Sequence, residues 1–127
     1  MYRRVFVAGA SGVIGRRLGQ LLLEDGWDIV GMIRSPEKAS DLKAAGIAPV
    51  VVDVFDIRAL HEAVTAARAE VIVHLLTDLP DGLDPAKMPE AIERTARIRD
   101  VGTRNLVSAA VAAKTKRMVA QSITFVY

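Results

Sequence analysis

The chain has 127 residues, of which 51% are apolar and 25% charged, with a formal net charge of +2. That balance suits one globular domain with a real core; the scattered Arg and Lys exclude a basic nucleic-acid arm, and no apolar run reaches the ~20 residues of a membrane span. The absence of cysteine excludes disulfides, thiol catalysis and Cys-ligated zinc, and fits a cytoplasmic protein; with only two histidines, no metal site is expected.

Strand and helix signals alternate along the chain. Arg4 to Ala8 reads as a buried strand, preceded by a Tyr2-Arg3-Arg4 stretch too short to act as an arm. It runs into Gly9-Ala10-Ser11-Gly12-Val13-Ile14-Gly15, and a helix follows from Val13 to Asp25. Ile14, Leu18, Leu21 and Leu22 fall at helical spacing there, and Gly26 stops the helix. Asp28 to Ile33 is a second strand, with Trp27 packing at its start. Ser35 can cap, and Pro36 can open, a helix that runs to about Ala45. Ala48 to Val52 is the third strand, and Asp56 caps a helix over Ile57 to Ala67 that carries His61 on its surface. Glu70 to Leu75 is the fourth strand, with His74 near its end. Thr77 to Pro89, broken by Pro80 and Pro85, reads as a loop; from Asp78 it leaves the C-terminal end of the fourth strand, where it can serve as a substrate lid. Glu90 to Ala113 reads as one long helix. Its Glu90–Arg94, Glu93–Arg97 and Asp100–Arg104 spacings are acid-first i,i+4 pairs, which make its basic residues a solvated face. Asn105 shares a face with Ile98, Gly102 and Ala109 and is expected to be buried and hydrogen-bonded; Arg117 to Gln121 is the fifth strand.

Continuous apolar strands alternating with helices predict an α/β fold: a doubly wound parallel sheet of Rossmann type, strand order 3-2-1-4-5, ending after the fifth strand. Ligand then lies over the C-terminal ends of strands 1 and 4, beside Leu75 and Leu76. Gly9 allows a tight turn off strand 1, Gly12 lets the backbone approach a pyrophosphate, and Gly15 lets the helix pack on the sheet. Ser11, Val13 and Ile14 complete this phosphate cradle at the positive end of the helix. The second strand ends at Arg34 and Ser35, without the acid that bonds a ribose 2′-hydroxyl. A guanidinium there matches a 2′-phosphate, so NADP is favoured as cofactor and NAD is the alternative. Asp53, with the Val54 backbone, falls near the adenine pocket, where its carboxylate either accepts from the adenine amino group or caps the next turn.

Gly9 to Gly15, Val71-Ile72-Val73-His74-Leu75-Leu76 and Gly102-Thr103-Arg104-Asn105-Leu106 together resemble the extended, epimerase-like branch of the short-chain dehydrogenase/reductase superfamily, across essentially the whole chain. The resemblance implies residues 1–127 as the N-terminal NAD(P)-binding domain of an oxidoreductase, epimerase or dehydratase, with the catalytic and substrate part absent. That family's catalytic Tyr-x-x-x-Lys lies well past the fifth strand, and no such pair occurs here. Tyr127 resembles the non-catalytic Tyr that closes the fifth-strand motif. The family's catalytic Ser or Thr position holds Ile123, which leaves the flanking Ser122 and Thr124 as catalytic candidates. Arg99 stands where an Asn is common, and the family reading makes His74 structural. The expectation is a chain that binds a dinucleotide and does not itself catalyse, with a small-molecule substrate handled by the parent protein. The alternatives are a non-catalytic NADP-sensing module and a structural domain with an empty site. Ile123, Phe125 and Val126 beside the fifth strand make an apolar sheet edge, expected to favour self-association.

Overall fold

The computed structural model describes residues 3–76 and 88–120. In chain order it contains β1 (Arg4–Ala8), α1 (Val13–Glu24), β2 (Asp28–Ile33), α2 (Ala39–Ala44), β3 (Ala48–Val51), α3 (Ile57–Ala67), β4 (Val71–His74), α4 (Met88–Arg97), α5 (Thr103–Ala112) and β5 (Arg117–Ala120). The strands form one sheet in the order β3-β2-β1-β4-β5, and each neighbouring pair is parallel. This is the order and architecture that the sequence pattern predicts.

The sheet is covered on both faces because its central strand is apolar at every other residue on both sides. Phe6 and Ala8 of β1 point to one side, where Met32 and Ile72 join Leu60 and Val64 of α3 and Leu106 and Ala109 of α5. Val5 and Val7 point to the other, where they meet Ile29, Ile33, Leu42 and Ile47 with the half-buried Leu22 and Leu23 of α1. On the first face α3 and α5 lie side by side, bridged by His61 Nε2 and Ser108 Oγ at 3.1 Å. Asn105 of α5 donates to the Val54 carbonyl at 2.9 Å, so the hydrogen bond expected of it is found, although its side chain is half-buried rather than buried; the bond ties α5 to the turn after β3. Trp27 packs where expected: the Arg3 guanidinium sits 5.8 Å from its ring centroid and its Nε1 donates to Asp25 Oδ2 at 3.3 Å.

Three local features differ from the pattern. Ile14 and Leu21 of α1 are 50% and 48% exposed, although their spacing suggested a core face. The buried seam of α1 is instead Gly15 and Gly19, because the helix approaches the sheet too closely for side chains. A Cβ at Gly15 would run into the Gly9 carbonyl oxygen and the Ala10 backbone, and one at Gly19 would meet Ile47 Cδ1 at 3.0 Å. Second, the segment after β2 opens as a 3-10 turn, Pro36–Lys38, and the Ser35 hydroxyl makes no capping bond there. Third, the long helix is interrupted by a π-helical turn, Ile98–Gly102, between α4 and α5. The wider turn brings Ile98 and Gly102 nearly into line, and both are buried. A Cβ on Gly102 would meet the Val54 methyl groups at 3.4 Å, so the turn packs directly on the loop after β3. Of the predicted helix-surface pairs, Asp100–Arg104 forms at 3.0 Å.

Leu106 is wholly inaccessible at the junction of α5, α3 and the sheet. A Leu106→Ala variant is expected to lose about 2–5 kcal/mol in urea unfolding; a loss under about 1 kcal/mol would contradict this packing.

Candidate nucleotide-binding cleft

The C-terminal ends of β1, β2, β3 and β4 converge on one open cleft, where the strand order reverses between β1 and β4. Among the described residues it is lined by Gly9, Ser11 and Gly12 after β1, Arg34, Ser35 and Lys38 after β2, Asp53, Val54 and Phe55 after β3, Leu75 and Leu76 after β4, and Ile98.

The loop between β1 and α1 is shaped by two glycines for different reasons. Gly9 has φ +91, a left-handed conformation that L side chains rarely adopt, and a Cβ there would meet the carbonyl carbon and oxygen of Leu75 at 2.9 Å. Its N–H donates to the Met32 carbonyl at 3.2 Å, which binds the turn to β2. Gly15 lies buried beneath the loop and is required by the contact between α1 and Gly9.

Gly12 is different. Its backbone is extended (φ −73, ψ 172), a conformation open to any residue, and among the described residues a Cβ would find only the Gly9 oxygen at an ordinary 3.6 Å. No contact among the described residues requires glycine at this exposed position. It is also the N-cap of α1, and the helix start carries neither a side-chain cap nor an acid in its first turn. The positive end of a twelve-residue helix therefore opens into the cleft past a residue without a side chain. Such a bare, electropositive cradle fits a phosphate group. Val13 and Ile14 lie in that first turn, and Ile14 turns half of its surface to solvent. A phosphate here would be met by their main chain.

At the other end, Arg34 and Lys38 bring two cations to the cleft, with the Ser35 hydroxyl between them in sequence. Lys38 was missed in the sequence. Its signal is a second cation four residues after Arg34, carried round by the 3-10 turn at Pro36. Phe55 was missed as well; its ring is 39% exposed, lines the cleft, and lies 5.4 Å from the Arg97 guanidinium. Asp53 lines the cleft, and its Oδ1 accepts from the Phe55 N–H at 2.9 Å. Of its two anticipated roles, capping the turn is formed within the chain. Ser122 and Thr124, the catalytic candidates, lie outside the described residues, as do Asp78 to Lys87 of the lid segment.

His74 ends β4 and is 4% exposed. Its Nδ1 accepts from the Leu76 N–H at 3.3 Å and its Nε2 lies 3.0 Å from Thr103 Oγ1. Burial, and secondarily the Arg99 guanidinium, hold its pKa below the ordinary 6.5, so the ring is neutral at neutral pH. Both ring nitrogens are engaged within the fold, which suits the structural reading of this residue. Among the described residues no group of three or more His, Asp or Glu could hold a metal ion, and no helix is long and apolar enough to cross a membrane.

A parallel sheet whose order reverses beside a glycine-lined, uncapped helix start defines a dinucleotide-binding domain of Rossmann type. Residues 9–127 match the model of the NAD(P)H-binding family, and the chain belongs to that family. It is 45% identical over 122 residues to a 3-diazoavenalumate denitrifying reductase of Streptomyces sp, covering 96% of this chain and 38% of that protein. It is 30% identical over 131 residues to cinnamoyl-CoA reductase 1 of Petunia hybrida, covering 97% of this chain and 36% of that protein. Among solved structures, the Bordetella bronchiseptica enzyme WbmH in complex with NAD⁺ superposes with a TM-score of 0.71 at 23% identity, over 93% of this chain and 38% of that one. The likeness to reductases agrees with the resemblance seen in the sequence, and a nicotinamide dinucleotide is the cofactor class. The chain spans well under half the length of these relatives.

The contrast between two glycines is directly testable. Gly15→Ala is expected to lower both thermal stability and dinucleotide binding, because the new methyl displaces the loop. Gly12→Ala should leave the melting temperature within about 2 °C of the parent, as surface changes generally do, while weakening dinucleotide binding at least tenfold by calorimetry. Equal binding by Gly12→Ala and the parent would contradict the cradle.

Proposed function

We propose that this chain is the cofactor-binding part of an NADP(H)-dependent reductase. The observation that carries the reading is Gly12, a glycine that the fold does not need, standing at an uncapped helix start that faces two cations across one cleft. In this reading the main chain from Gly9 to Gly15, with Ser11, holds the pyrophosphate. Arg34, Ser35 and Lys38 take the 2′-phosphate; Asp53, Val54 and Phe55 bound the adenine; Leu75, Leu76 and Ile98 flank the nicotinamide end. When bound, the nicotinamide supplies a hydride donor or acceptor. The chain's own residues bind and orient it, and the uncapped N–H groups favour the pyrophosphate charge without needing a counter-ion.

The preference for NADP over NAD rests on charge. The second strand ends in a cation, and Lys38 adds another within the same cleft. A guanidinium pairs with phosphate oxygens in a bidentate fork, whereas a ribose hydroxyl gains little from it. The reductase reading draws on the names of the Streptomyces and Petunia relatives, both reductases. Because the chain covers 38% and 36% of them, we place proton transfer and substrate recognition in the parent protein, outside these 127 residues. No Tyr-x-x-x-Lys occurs within them, which supports a binding role for the chain taken alone. Among the described residues β5 is the outer strand of the sheet and its Val119 is 56% exposed, which supports association of two copies through this edge.

Calorimetry with NADP⁺ and NAD⁺ is expected to show tighter binding of NADP⁺. Arg34→Ala should weaken NADP⁺ about 10- to 100-fold, as loss of a charge-assisted bond implies, and leave NAD⁺ within about threefold. Equal affinities in the parent chain, or a preference that survives Arg34→Ala, would remove the case for NADP. Light scattering is expected to find a dimer or larger species; a clean monomer at 100 µM (on the order of typical loading) would contradict association through β5.

A further inference from the structure

We propose that His74 is a positioning residue for the cofactor cleft, locking the Leu75–Leu76 peptide between the phosphate loop and the start of α5. The proposal rests on the cofactor reading above.

The geometry forms a continuous chain of contacts. Leu75 donates its N–H to the Ala8 carbonyl at 2.8 Å. The Leu75 carbonyl group lies 2.9 Å from where a Gly9 Cβ would stand, so the phosphate loop leans on this peptide with no side chain between. The next N–H, that of Leu76, is held by His74 Nδ1 at 3.3 Å. A ring nitrogen that accepts carries no proton, so in the neutral ring the hydrogen sits on Nε2 and is donated to Thr103 Oγ1 at 3.0 Å. Thr103 opens α5 directly after the π turn, whose first residue, Ile98, lines the cleft together with Leu75 and Leu76. One imidazole thus spans two walls of the nicotinamide end, from segments 29 residues apart in sequence.

This arrangement works only with a neutral ring. A proton on Nδ1 would replace the acceptor with a donor facing another donor, the Leu76 N–H, and would release that peptide. The strands on either side place Ala8 and Ala120 in register with His74, and neither titrates. From the helical layer the charged group acting on the ring, among the described residues, is Arg99 of the π turn, a like charge that opposes protonation. Asp100 and Arg104 pair with one another and are both largely exposed. The folded-state pKa therefore lies below the ordinary 6.5. The contribution of the neutral ring is complete above pH 6.5 and is lost as pH falls through the folded value.

The test is NADP⁺ titration between about pH 8 and pH 5.5 on the chain and its His74→Asn, His74→Leu and Thr103→Val variants, with circular dichroism to confirm that each is folded. Asn Oδ1 can stand in for Nδ1 and accept from Leu76, but does not titrate. The 2′-phosphate of NADP⁺ itself titrates near pH 6, identically for every variant, so the diagnostic is the difference between proteins. At pH 8 His74→Asn and Thr103→Val, which both keep the acceptor for Leu76, are expected to stay within about twofold of one another, while His74→Leu binds about fivefold or more weakly than either. On acidification the parent should lose about fivefold more affinity than His74→Asn. A folded His74→Leu with unchanged affinity, or parallel pH profiles for parent and His74→Asn, would overturn the proposal while leaving the cofactor reading intact. Failure of the parent to bind NADP⁺ at pH 8 would overturn the cofactor reading and this role with it. Should His74→Leu not fold, nitrogen NMR of the ring decides independently of ligand: the Nε2–H tautomer with a Leu76 amide that shifts as the ring titrates is expected, and an Nδ1–H tautomer would overturn the proposal.

Discussion

The close approach of α1 to the end of β1 governs the rest of the site. Gly15 lies against the Gly9 carbonyl and the Ala10 backbone, a contact that admits no side chain. That contact holds the axis of α1 so that its first turn points over the C-terminal ends of the strands. It also fixes Gly9 in a left-handed conformation, where the turn can rest on Leu75. Main chain thus meets main chain at three places: helix start, strand end and the peptide after β4. Backbone contacts of this kind are stiff, since no rotamer can relax them, and the cleft inherits that stiffness.

The cleft separates two kinds of recognition. The loop end offers dipoles and N–H groups, which suit a pyrophosphate of any dinucleotide. The β2 end offers full charges on Arg34 and Lys38, which suit an additional phosphate. Asp53, the one acid on the cleft wall among the described residues, is engaged by the Phe55 N–H and keeps its own loop in shape. In the proposed reading, the short turn after β2 sets the choice between NADP and NAD, and the β1–α1 junction holds the part common to both.

Much of this was legible in the sequence because the determining rules are local. Strands such as Val5-Phe6-Val7-Ala8 are apolar on both sides, and the Gly9, Gly12, Gly15 spacing carries its own turn chemistry, so sheet order and phosphate loop followed. Ile14 and Leu21 misled because an apolar spacing rule counts side chains, whereas the buried seam of α1 is made of glycine backbone. Lys38 reaches the cleft through a 3-10 turn whose tighter winding the helical pattern does not reveal. The π turn at Ile98–Gly102 follows from packing on Val54, and the His74–Thr103 bond joins distant segments; neither has a signature in a short window. Capping by Asp56 was recoverable, and its carboxylate accepts from the Ala59 N–H at 3.2 Å, because a cap is a contact between near neighbours.

Amide NMR of the labelled chain during NADP⁺ titration reads whether the start of α1 holds a dinucleotide phosphate. Saturation is expected to move the amides of Gly12, Val13 and Ile14 most strongly, followed by those of Arg34 and Leu76, with those of α3 unmoved. Saturation that leaves the Gly12 to Ile14 amides in place would contradict that placement of the phosphate, whatever affinity the chain displays.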